Sequence, residues 1–348
     1  MKKIINPWRN HPEYNCFGCC PENPIGLHME FYEDGDYIVS TWHPEKNYQG
    51  WVNTMHGGIL STLIDEVCGW VVKSSQKEMR RISMTALSLL MTLGIWAQSY
   101  KQVDDIGYTT KTDAYAMERL KLDVYYPVDT KDAPVVVWFH GGGLEQGQKE
   151  IPWKLKEKGM VLVGVNYRLL PKVTVRETLD DAAESVAWVF RNISKYGGDP
   201  KKIVVSGHSA GGYISMMLCL NKAWLKAYDV DADSVWLYAP FSGQAITHFN
   251  VRKMQGIPPL QATIDEYAPL YWVRPDCPPL VLICGDRELE LFGRYDENQY
   301  LARMMKLAGH KQTYLYEIDG HGHGGMIEPG YHILETHIKR MLGEAVNP

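Results

Sequence analysis

Basic charge is in short supply in this chain of 348 residues. Thirty-six Lys and Arg meet forty-one Asp and Glu, a net charge of −5 with a pI near 6.2. Nucleic acids and anionic membrane faces are recognised through an excess of basic groups, so neither is an expected partner. Cysteine is scarce as well: seven, an odd number mostly without paired spacing, which excludes a disulfide-stapled scaffold. The sequence contains no phosphate-binding loop, nicotinamide fingerprint or complete metal-ligand cluster, so chemistry that needs no cofactor is expected. Its apolar run at residues 82–97 falls short of the roughly 20 residues that a spanning helix requires, and no stable membrane span is expected.

What is present is ordinary globular composition, 45% apolar and 22% charged, long enough for a large core. At about 150 residues per domain the length suggests a little over two domains. Acidic charge gathers at one end. Residues 1–78 carry six Lys and Arg against ten Asp and Glu, and the other 270 carry thirty against thirty-one. At that boundary Met79-Arg80-Arg81 precedes the apolar run Ile82–Ala97, and Gln98 follows. This is the layout of a secretory signal peptide placed inside a chain. We therefore expect a fusion: residues 79–98 link a domain over 1–78 to one over 99–348 that once began at Met79.

In the first segment, Cys16-Phe17-Gly18-Cys19-Cys20-Pro21 reads as turns, and strand-like runs follow at Leu27–Tyr32 and Tyr37–Trp42. His56-Gly57-Gly58 then opens a helix expected over Ile59–Val72, with Leu60, Leu63, Ile64, Val67 and Val71 at helical spacing. Cys16 and Cys19 have the spacing of half a zinc site, but no second pair completes it, so structural cysteines are expected. These motifs resemble the first half of a hotdog-fold acyl-CoA thioesterase of the phenylacetate-pathway type. The resemblance implies that the turn at His56, Gly57 and Gly58 presents a backbone N–H to a thioester carbonyl, with Asp65 positioning water. The later strands of that fold do not follow before Met79, so the segment is expected to be a fragment without turnover, with acyl-CoA thioesterase activity from it as the alternative.

From Leu120 onward, strands and helices alternate. Apolar runs at Pro134–Phe139, Met160–Val165, Lys202–Val205, Ser234–Tyr238 and Pro279–Cys284 read as buried parallel strands. Helical stretches at Glu177–Lys195, Ala210–Asn221 and Tyr295–Ala308 lie between or after them. The expected class is α/β, a doubly wound, mostly parallel sheet covered on both faces. Gly207-His208-Ser209-Ala210-Gly211 stands between a strand and a helix, where small neighbours permit the sharp turn that lifts a serine hydroxyl off a sheet. His140-Gly141-Gly142-Gly143 follows a strand about 70 residues earlier, and its N–H groups can approach an oxyanion together with that of Ala210. His140 itself is expected to hold the loop. Late in the chain come acidic residues around Glu288 and then Gly320-His321-Gly322-His323-Gly324, giving the order serine, acid, histidine.

Together with Asn166-Tyr167-Arg168-Leu169-Leu170-Pro171 and Tyr196-Gly197-Gly198-Asp199-Pro200, these residues resemble α/β-hydrolases of the carboxylesterase, hormone-sensitive-lipase-like type over Leu120–Leu342. The resemblance implies Ser209 as nucleophile, Gly142, Gly143 and Ala210 as oxyanion hole, and a small-molecule ester as substrate. The family's acid position holds Glu288, with Asp286 as the alternative and Glu290 beside it. His323 is expected to be the base because it lies nearer the last helix, while His321 belongs to the turn off a strand. A partial cap is expected over Phe241–Asp276, with Tyr271 and Trp272. Behind a signal-like run, this half resembles an exported bacterial protein. A peptidase of the prolyl-oligopeptidase type shares the serine motif, and a non-catalytic hydrolase-like domain is a third reading; His140-Gly141-Gly142-Gly143 favours the esterase.

Overall fold

A computed structural model describes residues 2–9, 11–34, 37–43, 46–51, 54–55, 57–74 and 99–344. His56 and the signal-like linker at 79–98 lie outside the described residues. The chain divides into two compact units, Met1–Ile95 and Trp96–Pro348.

In the first unit, strands Lys2–Lys3, Tyr32–Asp34 and Tyr37–Val39 form an antiparallel sheet in that order. Both expected strands are shorter, and the run from Leu27 joins the sheet only at Tyr32, because the Leu27 and Met29 N–H groups donate to the Phe17 and Gly18 carbonyls of the cysteine loop. The helix Gly57–Ser74 stacks Trp70 on Phe31, ring centroids 5.1 Å apart. Cys19, Leu27 and Met29 complete that small core.

The second unit is built on eight strands: β1 (Tyr100–Gly107), β2 (Lys121–Pro127), β3 (Ala133–Phe139), β4 (Val161–Val165), β5 (Gly198–His208), β6 (Leu237–Phe241), β7 (Leu280–Gly285) and β8 (Thr313–Ile318). Their order across the sheet is 1-2-4-3-5-6-7-8. The β1–β2 and β2–β4 pairs are antiparallel and all others are parallel. This is the α/β-hydrolase fold. Every residue of β3, β4, β6 and β7 is buried, which is why these strands read as continuous apolar runs. Val135, Val137 and Phe139 face one core and Val136 and Trp138 the other, as the two-residue repeat of a strand requires.

Helices α1 (Ala114–Arg119), α2 (Val175–Asn192), α3 (Ala210–Leu220), α4 (Ala223–Lys226), α5 (Phe249–Met254), α6 (Arg294–Ala308) and α7 (Ile327–Leu342) complete the unit. A reciprocal capping box between Thr174 and Glu177 starts α2. Helix α3 has no polar face and is buried along its whole length. The sixth strand starts later than the run at Ser234 suggests, since the Asp231 side chain caps a single 3-10 turn over Ala232–Ser234. Strands β1 and β2 lie outside the expected runs, and β8 was expected only as a strand ahead of the turn at His321. They mix polar with apolar residues; β1 and β8 are the two edge strands and have no buried residue, while β2, next to β1, is mostly buried. Among the described residues, no helix is long and apolar enough to cross a membrane.

All eight strands and both cores that sandwich them come from residues after 98. A chain of residues 99–348 is accordingly expected to unfold in one cooperative transition in urea, followed by circular dichroism. A broad, non-cooperative loss of signal would show that the first unit is needed for the fold.

Candidate active site

Ser209 occupies the junction of β5 and α3 with φ 57° and ψ −110°, a left-handed conformation that costs a non-glycine residue of order 1–3 kcal/mol. The surroundings hold it there. Its N–H donates to the Phe241 carbonyl at 2.8 Å, and its own carbonyl accepts from Tyr213 in the first turn of α3. Two glycines let that helix close against the sheet. A Cβ at Gly207 would lie 2.5 Å from the Phe139 carbonyl oxygen, and one at Gly211 only 2.0 Å from it. The motif is thus a packing requirement, and its product is a serine hydroxyl set above the C-terminal edge of the sheet.

His323 approaches from the loop between β8 and α7. Its Nε2 lies 2.9 Å from Ser209 Oγ and its Nδ1 2.8 Å from Glu290 Oε2. The Glu290 carboxylate has no exposed side-chain surface. Burial alone would raise its pKa, but hydrogen bonds from His323, Ser242 and the Gly285 N–H prevail and hold it at about 2. It is therefore ionised at any working pH, and fixes Nδ1 of His323 as the protonated nitrogen.

This corrects the expected acid. Residues 286–290 form one helical turn, with the Leu289 and Glu290 N–H groups both donating to the Asp286 carbonyl. Glu290, one turn on from Asp286, points back toward the end of β7. Glu288 lies on the outer side, exposed, and its N–H donates to Asp286 Oδ1 at 2.9 Å. The Asp286 carboxylate is taken up by the Gly320 N–H at 2.8 Å. Neither Glu288 nor Asp286 meets His323. His321 is exposed, and its ring pairs with the Asp319 carbonyl rather than with Ser209.

Two further residues brace the site and were missed. Ser242, just beyond β6, places Oγ against both Glu290 and His323 Nδ1, the latter at 3.0 Å. His208 donates from Nε2 to the His323 carbonyl at 2.8 Å and packs its ring 4.6 Å from that of His323. Burial, reinforced by His323 nearby, lowers the His208 pKa to about 4, so it stays neutral. Its position inside the serine motif was the available signal.

The loop Gly141–Gly143 passes directly beside the serine: a Cβ at Gly141 would lie 3.5 Å from Ser209 Cβ. The Ala210 N–H belongs to the first turn of α3 and has no acceptor within the helix. These are the donors expected of an oxyanion hole. Gly142 and Gly143 adopt φ of 107° and 64°. His140 holds the loop from beneath. Its ring stacks on Tyr167 at 4.4 Å, and its Nε2 accepts from Arg119 at 3.0 Å. Burial lowers its pKa to about 4. Within the expected cap, Asn250 donates to the Gly143 carbonyl at 2.6 Å, and Phe249 sits against the same glycine. Tyr271 is exposed, and Trp272 donates to the Glu266 carbonyl. Asn250 and Phe249 are thus the cap residues placed against the glycine loop.

In the first unit, Gly57 and Gly58 open the helix as expected, but Asp65 is exposed on it. The neighbouring Glu66 turns inward instead and accepts from the Cys16 thiol.

Residues 122–269 match the BD-FAE family model. A probable isoprenylcysteine alpha-carbonyl methylesterase of Oryza sativa is 36% identical over 126 residues, covering 35% of this chain and 29% of the relative. Carboxylesterase NlhH of Mycobacterium tuberculosis is 35% identical over 119 residues, covering 32% and 35%. The chain thus spans about a third of the length of these curated relatives. Among solved structures, a thermophilic esterase of Thermogutta terrifontis matches with a TM-score of 0.53 at 21% identity, covering 71% of this chain and 94% of that one.

The neutral histidines carry a consequence for pH. The pKa of His208 falls from 6.5 to about 4 in the fold, so its contribution to stability is complete above 6.5 and lost as pH drops toward 4. Replacing His208 with Gln, which keeps an N–H donor, is expected to flatten this part of the stability–pH curve by up to one proton, about 1.4 kcal/mol per pH unit. Urea titrations between pH 4 and 7 measure it; identical slopes in the two proteins would contradict the assignment.

Proposed function

We propose that the chain is a serine hydrolase of carboxylic esters, acting through an acyl-enzyme. The observation that carries this reading is the continuous hydrogen-bonded series Ser209–His323–Glu290 at the C-terminal edge of the sheet. His323 Nε2 takes the proton as Ser209 Oγ attacks the ester carbonyl, and returns it to the departing alcohol. Glu290 remains charged and stabilises the imidazolium formed in between. The N–H groups of Ala210, Gly142 and Gly143 receive the developing oxyanion, each such donor contributing about 3–4 kcal/mol in the transition state. Water then repeats the sequence on the acyl-enzyme. The chemistry requires no cofactor. Curated relatives named as a carboxylesterase and a probable isoprenylcysteine alpha-carbonyl methylesterase favour an ester over an amide substrate.

We assign the hotdog-like resemblance to residues 1–78 alone and give this unit no part in ester cleavage, because the proposed nucleophile, base, acid and oxyanion donors all lie beyond Phe139. Removing residues 1–98 is expected to change kcat/KM by less than tenfold.

A fluorophosphonate probe followed by mass spectrometry should label Ser209, and p-nitrophenyl acetate should be cleaved in preference to a proline amide. Preference for the amide would point to the peptidase reading, and absence of both labelling and turnover to a non-catalytic domain. Among variants, His323→Ala and Glu290→Gln should lower kcat by about 10⁴. Glu288→Gln and His321→Ala should stay within about threefold of the parent. Loss of activity in Glu288→Gln with retention in Glu290→Gln would reverse the assignment of the acid.

A further inference from the structure

Cys16 and Cys19, three residues apart in the first unit, do not stand alone in space. Cys16 and Cys19 bring their sulfurs to 3.6 Å, and Glu66 Oε1 lies 2.9 Å from Cys16 Sγ, although it is fifty residues away in sequence. One ligand atom from each of the three falls within 4.8 Å of the others. We propose that Cys16, Cys19 and Glu66 bind a divalent metal ion of the zinc class.

The spacing argues for it. A tetrahedral ion with metal–sulfur bonds of about 2.3 Å sets two sulfurs about 3.8 Å apart, close to the separation seen here. A disulfide would need about 2.05 Å. The loop between the cysteines is shaped for the third ligand: a Cβ on Gly18 would lie 2.3 Å from Glu66 Cγ, so only glycine lets that carboxylate reach the sulfurs. Backbone bonds lock the loop in place. Leu27 donates to the Phe17 carbonyl at 2.7 Å and Met29 to the Gly18 carbonyl at 2.9 Å. Tyr14 Oη lies 2.9 Å from Cys19 Sγ, an outer partner of the kind that orients a metal-bound thiolate. Cys20 is outside the cluster, with its sulfur directed to the Tyr14 carbonyl.

Two thiolates exclude calcium and magnesium, which prefer oxygen, and suit zinc. Three protein ligands leave one position for water. Loading displaces the two thiol protons to solvent as the metal–sulfur bonds form.

The test uses the full chain, kept reduced, with Zn²⁺ content measured by elemental analysis and Co²⁺ as a spectroscopic probe. About one Zn²⁺ per chain is expected, together with a thiolate-to-cobalt charge-transfer band in the near ultraviolet. Cys16→Ser and Cys19→Ser should each abolish the band, Glu66→Gln should weaken Zn²⁺ binding at least tenfold, and Cys20→Ser should change neither. Circular dichroism of the variants separates loss of the site from loss of the fold. The inference is overturned if the reduced chain takes up no Zn²⁺, or if binding survives in well-folded Cys16→Ser. Isolation of a Cys16–Cys19 disulfide that yields no Zn²⁺ binding on reduction would overturn it equally.

Discussion

Ser209 is held in a backbone conformation that serine does not choose, and the packing of its helix against the central strands imposes it. A helix buried along its whole length must lie against a central strand, and it can do so only because Gly207 and Gly211 bring its first turn against the Phe139 carbonyl. Phe139 ends β3 and opens the glycine loop, so the contact that positions Ser209 also places Gly141–Gly143 beside it. A side chain at Gly211 would disturb both at once, through a single steric clash.

The polar part of the site lies across the C-terminal ends of neighbouring strands. Ser209 follows β5, Ser242 follows β6, the Glu290 turn follows β7, and His323 follows β8. Parallel pairing brings these four strand ends to one side of the sheet, which is why residues more than a hundred positions apart share hydrogen bonds. The buried Arg294 guanidinium, donating to the Ser242 carbonyl, ties the start of α6 into the same cluster. Glu290 can remain ionised without exposed surface because four donors converge on it: His323, the Ser242 hydroxyl and the N–H groups of Gly285 and Leu291. The fold thus concentrates a negative charge beside Nδ1 of His323.

Much of this was legible in the sequence, because the features that position the serine are local. Strand, small residues and helix around Ser209 are contiguous, and so is His140-Gly141-Gly142-Gly143 after its strand. His323 was distinguishable from His321 by its closeness to the last helix. The acid was not legible. Three carboxylates alternate at 286, 288 and 290, and which one turns inward depends on whether the chain after β7 stays extended or coils into one helical turn. It coils, which moves the inward position to Glu290, two residues past the expected Glu288. Ser242 and His208 act through contacts with residues on other strands, which no spacing along the chain encodes. Glu66 was hidden for the same reason: the half-site at Cys16 and Cys19 lacked a partner in sequence but meets one on the helix.

The central claim is that the strained serine, its histidine and the glycine loop form one preorganised site for a tetrahedral oxyanion. A crystal structure of the phosphonylated protein reads it directly, since the phosphoryl oxygen stands where that oxyanion forms. The account predicts phosphorus on Ser209 Oγ, its oxygen about 2.7–3.1 Å from the N–H groups of Ala210 and of Gly142 or Gly143, and His323 still paired with Glu290. A phosphoryl oxygen facing solvent, or a His323 ring turned to Asp286 or Glu288, would contradict it.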